Sequence, residues 1–400
     1  MPVGKRRVMK DPQRIVLLGS TGSIGRQTLD VVDRLRLTGH DIEVVGLSAG
    51  QNVELLAEQI ESHAPHSVSV VEQDAARELQ RRFPDLRVHH GDEGLCRIAG
   101  LDEADTIVNA LVGAVGLAPT LEGLQRGRTV ALANKESLVV GGELVRHVLA
   151  EHGGRLFPLD SEHSGLLQCL EAGRSDDVAR VILTASGGPF LRTESDALAD
   201  VTPADALAHP NWSMGSRITV DSATMVNKSF EVIEAHHLFD LAYERIDVLV
   251  HPESIVHALV EYGDGSVIAQ LATHDMRIPI QYALTYPERR FTGLPRLALG
   301  EETRALHFEP LDSDRFPAFA VILSAARDGG SAPAAVNAAD EVLVARFLRG
   351  EIPFTGIAAG LSAILDRWQS ESRDGPISLD ALLEVDRWAR DAASEFEFST

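Results

Sequence analysis

From Ile15 onward, short β-branched runs alternate with longer amphipathic stretches, and this rhythm restricts the fold more than any other feature of the chain. IVLLG at 15–19 leads into a helical segment through Val31 and Val32; IEVVGLSA at 42–49, a second helical segment and SVSVV at 67–71 follow. TIVNAL at 106–111, TVALA at 129–133 and RLFPLD at 155–160 continue the pattern. Strands joined by helices of this length pair in parallel, and helices then cover both faces, so a doubly wound parallel sheet is predicted to about residue 158.

The middle of the chain changes character. VILTAS at 181–186 reads as a strand, HPNWSMGS at 209–216 as a loop, and Ser222 to Phe239 as one helix. IVHALVEY and SVIAQLA, joined by Gly263-Asp264-Gly265, read as an antiparallel hairpin, because Asp-Gly readily takes positive φ. An open edge of that kind serves pairing or dimerisation. Residues 286–311, rich in Pro, Gly and charge, suit a surface linker, and beyond Phe316 only helical segments follow.

With 400 residues, 44% of them hydrophobic, the chain can bury two or three cores. A formal charge of -22 without a broad Lys/Arg cluster excludes binding along a phosphate backbone and leaves small, locally cradled phosphates. Cys96 and Cys169 stand far apart with no CxxC or Cys/His partner, which suggests neither zinc nor a disulfide framework and fits a reducing compartment. The first thirteen residues are basic but lead into no apolar core, and nowhere do 18 apolar residues run together. The expectation is a cytoplasmic protein, off the membrane, with a short disordered start.

Gly19-Ser20-Thr21-Gly22-Ser23-Ile24-Gly25 follows the first strand and opens a helix, so free N–H groups and the helix dipole converge where a pyrophosphate fits. The spacing is GxxGxxG, and glycines there also let a helix pack closely on a sheet; both readings stand. The second strand ends in Leu47-Ser48-Ala49-Gly50-Gln51-Asn52, without the carboxylate that binds an NAD ribose and repels a 2′-phosphate, which favours NADPH.

Asp160 and Glu162 lie where a strand ends and a helix starts, a place suited both to a shared hard cation and to helix capping. NKSFEVIEAHHLF puts Lys228, Glu231 and Glu234 along one helical face, as metal-site carboxylates or as a solvated charge stripe. Oxygen ligands of this number select Mg²⁺ or Mn²⁺ over zinc. His236 and His237 read as packing or surface histidines. Ser186-Gly187-Gly188 with Ser222, Asn227 and Lys228 combines the donors of a phosphomonoester cradle, although a plain turn and a helix cap account for the same residues. His209 to Gly215 pairs an indole with a hinge-capable glycine, as a water-excluding lid does.

Taken together, GSTGSIG, LANKESLV, PLDSEHS, LTASGGPF, HPNWSMG, VDSATMVNKSFEVIEAHHLF and HPESIVH resemble the 1-deoxy-D-xylulose 5-phosphate reductoisomerases over nearly the whole chain. The resemblance extends through FPAFAVILSAARDGGSAPAAVNAADEVLVARFL. It implies conversion of 1-deoxy-D-xylulose 5-phosphate to 2-C-methyl-D-erythritol 4-phosphate, in the non-mevalonate isoprenoid route, by a homodimer that uses NADPH and Mg²⁺ or Mn²⁺. It also implies an α/β fold: a disordered start (1–13), a Rossmann-like NADPH domain (14–158), an α+β catalytic domain (159–288), a linker (289–311) and a C-terminal helical bundle (312–400).

By the same resemblance Asp160, Glu162 and Glu231 hold the metal, and these with Lys135 and His209 form the catalytic set. The substrate falls to Lys135, Ser161, Glu162, Ser186, His209, Trp212, Ser222, Asn227, Lys228 and Glu231. The cofactor falls to Thr21, Gly22, Ser23, Ile24, Gly50, Gln51, Asn52, Asn134, Glu136 and Gly215. Gln51 departs from the basic residue that relatives often carry beside the 2′-phosphate, which weakens the NADPH preference. The competing readings are an NADP-dependent semialdehyde or hydroxy-acid dehydrogenase with structural carboxylates, and a nucleotide sensor without chemistry.

Overall fold

A computed structural model describes residues 12–212, 214–301, 305–371 and 377–398. Of the expected disordered start, positions 1–11 lie outside the described residues, and Gln13 already belongs to the first strand. The first sheet takes β1 (Gln13–Leu18), β2 (Ile42–Ala49), β3 (Ser67–Val70), β4 (Arg87–His90), β5 (Thr106–Asn109), β6 (Thr129–Leu132) and β7 (Arg155–Pro158). Between them run α1 (Ser23–Leu37), α2 (Val53–His63), α3 (Gln73–Arg82), α4 (Gly91–Ala99), α5 (Leu117–Gln125) and α6 (Glu136–His152). All neighbours pair in parallel, in the order β4-β3-β2-β1-β5-β6-β7.

Ile15, Val16, Leu17 and Leu18 of β1 are each 0% exposed, as a strand covered on both faces requires. Strand order reverses between β1 and β5, so their carboxyl ends diverge and leave a crevice at the switch point. The glycine turn opens at that crevice.

The chain continues through α7 (Ser161–Leu170), β8 (Val178–Ala185), α8 (Pro203–Ala206), α9 (Ser216–Ala223) and α10 (Val226–Phe239). Next come β9 (Ile246–Val250), β10 (Val256–Tyr262), β11 (Val267–Leu271), α11 (Arg277–Thr285) and β12 (Glu309–Pro310). These strands form a second sheet, β11-β10-β8-β9-β12, antiparallel except where β8 meets β9. The hairpin β10–β11 turns as expected, with Gly265 at φ 85°. The segment expected as a linker ends by adding β12 to this sheet.

One expectation is corrected. The single helix from Ser222 to Phe239 is two, because Met225 takes φ 64° between α9 and α10. Thr224 Oγ1 contacts Val220 O and Asp221 O at 3.2 Å and accepts from Val226 N at 3.4 Å, so its hydroxyl serves the last turn of α9 and the first of α10. Gly188 makes the same bend necessary from outside: a Cβ there would stand 2.7 Å from Ser222 O. The two backbones pass where no side chain fits.

Leu166 of α7 and Val232 and Ala235 of α10 pack on Val181, Leu183, Ala258 and Val260 of the second sheet. The opposite side of α10, through Phe230 and Ile233, packs with Ile322, Ala335 and Leu343 of the last four helices, α12 (Pro317–Asp328), α13 (Ala332–Leu348), α14 (Phe354–Ser370) and α15 (Leu379–Glu395). Phe230, 1% exposed, contributes about 1.5–3 kcal/mol by that burial. Being held on both sides fixes α10, and with it Lys228 and Glu231. Among the described residues no helix is long and apolar enough to cross a membrane.

Candidate active site

A cavity of about 940 Å³ opens between the carboxyl edge of the first sheet, α7, α9 and α10. Asp160 follows β7 and caps α7, its Oδ1 accepting from Ser161 N at 2.9 Å. Glu162 sits two residues beyond Asp160, in the first turn of the same helix. From across the cavity α10 brings Glu231, 1% exposed. One oxygen from each of the three carboxylates lies within 4.8 Å of the others, which is the donor set and spacing a hard divalent cation takes. Capping uses only one Asp160 oxygen and leaves the other facing the cluster.

Two lysines enter the same cluster. Lys135, at the start of α6, stands 2.8 Å from Asp160 Oδ2 and 3.6 Å from Glu231 Oε1, and donates to Asn227 Oδ1 at 2.5 Å. Lys228 Nζ donates to Glu162 Oε1 at 2.8 Å and also to Glu231 Oε2. Burial disfavours ionised Asp160 and Glu162, but the Lys135 and Lys228 ammoniums outweigh it and hold both carboxyls below their ordinary values. Burial, with Glu162 beside it, instead pushes Glu231 up to about 8. Two ammoniums balance only two of the three buried carboxylates, so Glu231 keeps its proton near neutral pH, and a divalent cation is the charge that would let all three ionise together. On these grounds the residues fit a metal.

Glu234, expected on the same stripe, turns away. Its carboxyl, pushed up to about 7 by burial, lies 3.4 Å from His163 Nδ1, while His163 Nε2 donates to Glu231 O at 2.8 Å. His236 packs on Tyr243 at 4.3 Å, and burial pushes His237 down to about 3, so neither joins the cluster.

At the other end Ser186, the residue after β8, meets His209 Nε2 through its Oγ at 3.1 Å and accepts from Gly188 N at 3.2 Å. His209 Nδ1 accepts from Trp212 N at 3.0 Å and Asn211 N at 3.2 Å, which leaves Nε2 as the protonated nitrogen. Asn211 Nδ2 donates to Pro252 O at 2.7 Å, so the 209–212 stretch is fastened to the loop before β10. Trp212 meets His274 edge to face at 5.3 Å. Ser213, inside the expected lid, lies outside the described residues. Ser222 lines this end of the cavity, while Asn227 is tied to Lys135 and, at 2.5 Å, to Glu231 Oε1. Lys228, expected on a phosphate, is occupied by the carboxylates.

The glycine turn shows two uses. A Cβ on Gly25 would stand 2.2 Å from Gly19 O, so that glycine lets α1 close on the turn. At Gly22 nothing approaches a Cβ nearer than 3.4 Å, and at Gly215 nothing lies within 4 Å; both border the cavity. Packing does not explain these two, and open space beside free helix-start N–H groups fits a dinucleotide. Ser23, Ile24 and Glu136 also line the cavity, and Ser161 lies beside Glu162.

Five expected cofactor residues do not line it: Thr21, Gly50, Gln51, Asn52 and Asn134. Gly50 and Gln51 are exposed past β2, and Asn52 caps α2 by accepting from Leu55 N at 3.1 Å. Asn134 is 1% exposed and braces the 111–113 turn, donating to Leu111 O at 3.1 Å and Gly113 O at 3.0 Å.

The residue reading missed Ser254, His257, His274, Met276 and Arg277, all of which line the cavity. His257 carried a signal: it alternates with the buried Val256 and Ala258 on β10, a polar residue 4% exposed within a strand. Ser254 and His274 arrive on loops, Met276 and Arg277 at the start of α11, and none bears a periodic mark.

Three family models match the chain: "1-deoxy-D-xylulose 5-phosphate reductoisomerase" over residues 15–142, its "C-terminal domain" over 156–239, and "DXP reductoisomerase C-terminal domain" over 271–392. The chain is 49% identical over 382 residues to 1-deoxy-D-xylulose 5-phosphate reductoisomerase of Chlorobium chlorochromatii, covering 95% of this chain and 98% of that one. It is 48% identical to that of Geobacter metallireducens over 389 residues, 96% and 98% of the two chains. Among solved structures, the Zymomonas mobilis reductoisomerase in complex with NADPH aligns at TM-score 0.88 and 38% identity, over 96% and 98% of the two chains. A DOX-P reductoisomerase in complex with NADPH, fosmidomycin and magnesium aligns at 0.89 and 38%, over 96% and 97%.

Proposed function

The chain belongs to the 1-deoxy-D-xylulose 5-phosphate reductoisomerase family, and from that membership we propose that Asp160, Glu162 and Glu231 hold its metal while the β1–α1 turn holds its dinucleotide. The enzyme isomerises and reduces 1-deoxy-D-xylulose 5-phosphate to 2-C-methyl-D-erythritol 4-phosphate with NADPH and a divalent metal ion, a step of isoprenoid precursor biosynthesis. The observation that carries the site assignment is the convergence of the three carboxylates, one oxygen of each within 4.8 Å of the others.

When bound, the cation supplies Lewis acidity toward the substrate carbonyl and a neighbouring hydroxyl, and NADPH supplies the hydride. The chain's own residues do the rest. Lys135 and Ser161 orient the hydroxyl end of the substrate. Ser186, Ser222 and Asn227, with the Gly187 and Gly188 N–H groups and Lys228, cradle the phosphate. His209 donates through Nε2 toward the same anion, and Trp212 covers the cavity and keeps water from the reacting carbons. Gly22, Ser23, Ile24 and Gly215 receive the dinucleotide, Glu136 borders it, and Thr21 and Asn134 shape the turns that hold it. Gly50, Gln51 and Asn52 receive the adenosine end.

The same proposal extends to Mn²⁺ in place of Mg²⁺, since both take oxygen donors. It extends to a homodimer built on the open edge of β11, where Val267 is 49% and Ile268 38% exposed. The two unpaired cysteines support a cytoplasmic setting.

The ligand assignment is tested by titrating Mn²⁺ into apoprotein and watching its paramagnetic resonance. One site per chain is expected, weakened at least about 100-fold by Asp160→Asn, since even residues behind the ligands change metal affinity 10–100-fold. Equal affinity in the variant removes Asp160 from the metal. For Gln51, the expected result of Gln51→Arg is a roughly tenfold rise in the NADPH to NADH ratio of kcat/KM, the effect of one added charge-assisted hydrogen bond. An unchanged ratio takes position 51 away from the 2′-phosphate.

A further inference from the structure

Outside the metal cluster lies a second concentration of buried charge. Arg217, second residue of α9 and two positions past Gly215, extends its guanidinium among four carboxylates from three elements. It donates to Glu136 Oε1 at 3.0 Å and Glu341 Oε1 at 2.9 Å, and stands 3.4 Å from Asp340 Oδ2 and 3.6 Å from Asp221 Oδ2. Asn337 Oδ1 accepts from it at 3.2 Å. Asp221 is 5% and Asp340 0% exposed. Among the described residues Arg217 is the one cation in ion-pair reach of Glu136, Asp221 and Asp340. Arg390 of α15 balances Glu341 from the far side.

Each partner leads to a different part of the molecule. Glu136 opens α6, borders the cavity and accepts from Gly113 N at 3.0 Å, thereby holding the 111–113 turn at the cavity mouth. Asn337, Asp340 and Glu341 belong to α13. Arg217 itself continues from the 209–215 loop. Nothing in the sequence reading singled it out, because its partners lie at least 81 residues away except for Asp221.

We propose that Arg217 is a positioning residue that ties Glu136 and the base of the 209–215 loop to α13, so that the C-terminal helices set the nucleotide side of the cavity. The planar fork of arginine suits this role, because one guanidinium satisfies acceptors in several directions at once, which an ammonium does not. It also masks negative charge that otherwise faces an anionic dinucleotide. Burial, with Asp340 beside it, raises Asp221 well above its ordinary value, which shows how little other compensation the cluster has. The proposal rests on the assignment of Gly215 and Glu136 to the cofactor side.

The test is calorimetric binding of NADPH and of Mn²⁺ to the folded full chain, wild type, Arg217→Gln, Glu341→Gln and the double variant, with folding checked by circular dichroism. Glu341→Gln keeps the assay decisive where Arg217→Gln unfolds, because it removes one partly buried charge and weakens one tie to α13 from a charge-assisted to a neutral hydrogen bond. The expected result is NADPH affinity at least tenfold lower in Arg217→Gln and several-fold lower in Glu341→Gln, with Mn²⁺ affinity within twofold of wild type. The loss in the double variant should be less than the product of the single losses. The NADPH deficit of Arg217→Gln should shrink as salt is raised, since screening relieves the charge it unmasks. Unchanged NADPH affinity in a folded Glu341→Gln, or losses of NADPH and Mn²⁺ affinity in equal measure, overturns the proposal. Wild-type protein that fails to bind NADPH would instead bring down the cofactor assignment beneath it.

Discussion

Glu231→Gln is expected to turn over 1-deoxy-D-xylulose 5-phosphate at least about 10³-fold more slowly than wild type, equivalent to roughly 4 kcal/mol of transition-state stabilisation. The substitution keeps the shape of a side chain that is 1% exposed, so packing of α10 is unaffected. It replaces the carboxyl proposed as a metal ligand with a neutral amide and turns one acceptor of the Lys228 and Asn227 donors into a donor. NADPH affinity should stay within about twofold of wild type, because no cofactor contact involves Glu231 and distant sites act independently. Steady-state kinetics and NADPH fluorescence decide together. Turnover near the wild-type rate removes Glu231 from the metal, whereas loss of NADPH binding as well points to a collapsed domain.

Lys228→Met separates the metal end of the site from the phosphate end. Methionine fills most of the same volume without charge, so the carboxylates of Glu162 and Glu231 lose their shared ammonium. Two roles predict opposite results. A lysine that belongs to the phosphate gives a kcat/KM about 10²-fold lower, from one charge-assisted hydrogen bond of 1.5–3 kcal/mol, with Mn²⁺ bound as tightly as before or tighter. The gain arises because the ion no longer displaces a cation to reach its ligands. A lysine whose whole function is to organise the carboxylates weakens Mn²⁺ binding instead, and that outcome contradicts the phosphate assignment. Isothermal titration with Mn²⁺ and the dependence of rate on substrate concentration distinguish them.

The parallel sheet and the glycine turn were legible because their signals are local. β1 is a covered run, Gly19 to Gly25 follows it at once, and Asp160 stands one residue past Leu159, where β7 gives way to α7. Period, turn chemistry and capping act over a few residues, and the fold class read from them is the one observed. The break at Met225 was not legible in the same way. Its left-handed backbone answers to Gly188, 37 positions earlier in the chain, whose backbone passes directly against Ser222. Local propensity alone continues a helix through that point, and tertiary packing overrides it.

The site divides along the same line. Asp160 and Glu162 are neighbours in sequence, so their convergence was visible; that Glu231 faces them while Glu234 faces His163 depends on how α10 is rotated against α7. Residue spacing put both glutamates on one stripe and had no means of separating them. Lys228 was read as a phosphate ligand from its neighbours Ser222 and Asn227, and its ion pairs cross 66 residues to Glu162. Gln51 and Asn134 show the converse. The family resemblance put both on the nucleotide, and the structure places one exposed past β2 and the other beneath the 111–113 turn.

The most direct measurement is oxidation of NADPH, followed by its absorbance, on mixing the enzyme with 1-deoxy-D-xylulose 5-phosphate after chelation of metal and again after adding Mg²⁺ or Mn²⁺. A site in which three carboxylates hold an obligatory cation predicts no oxidation in the chelated protein and recovery on adding either ion, saturating at one ion per chain. Full-rate oxidation by the chelated protein would contradict it, leaving Asp160, Glu162 and Glu231 as structural charges.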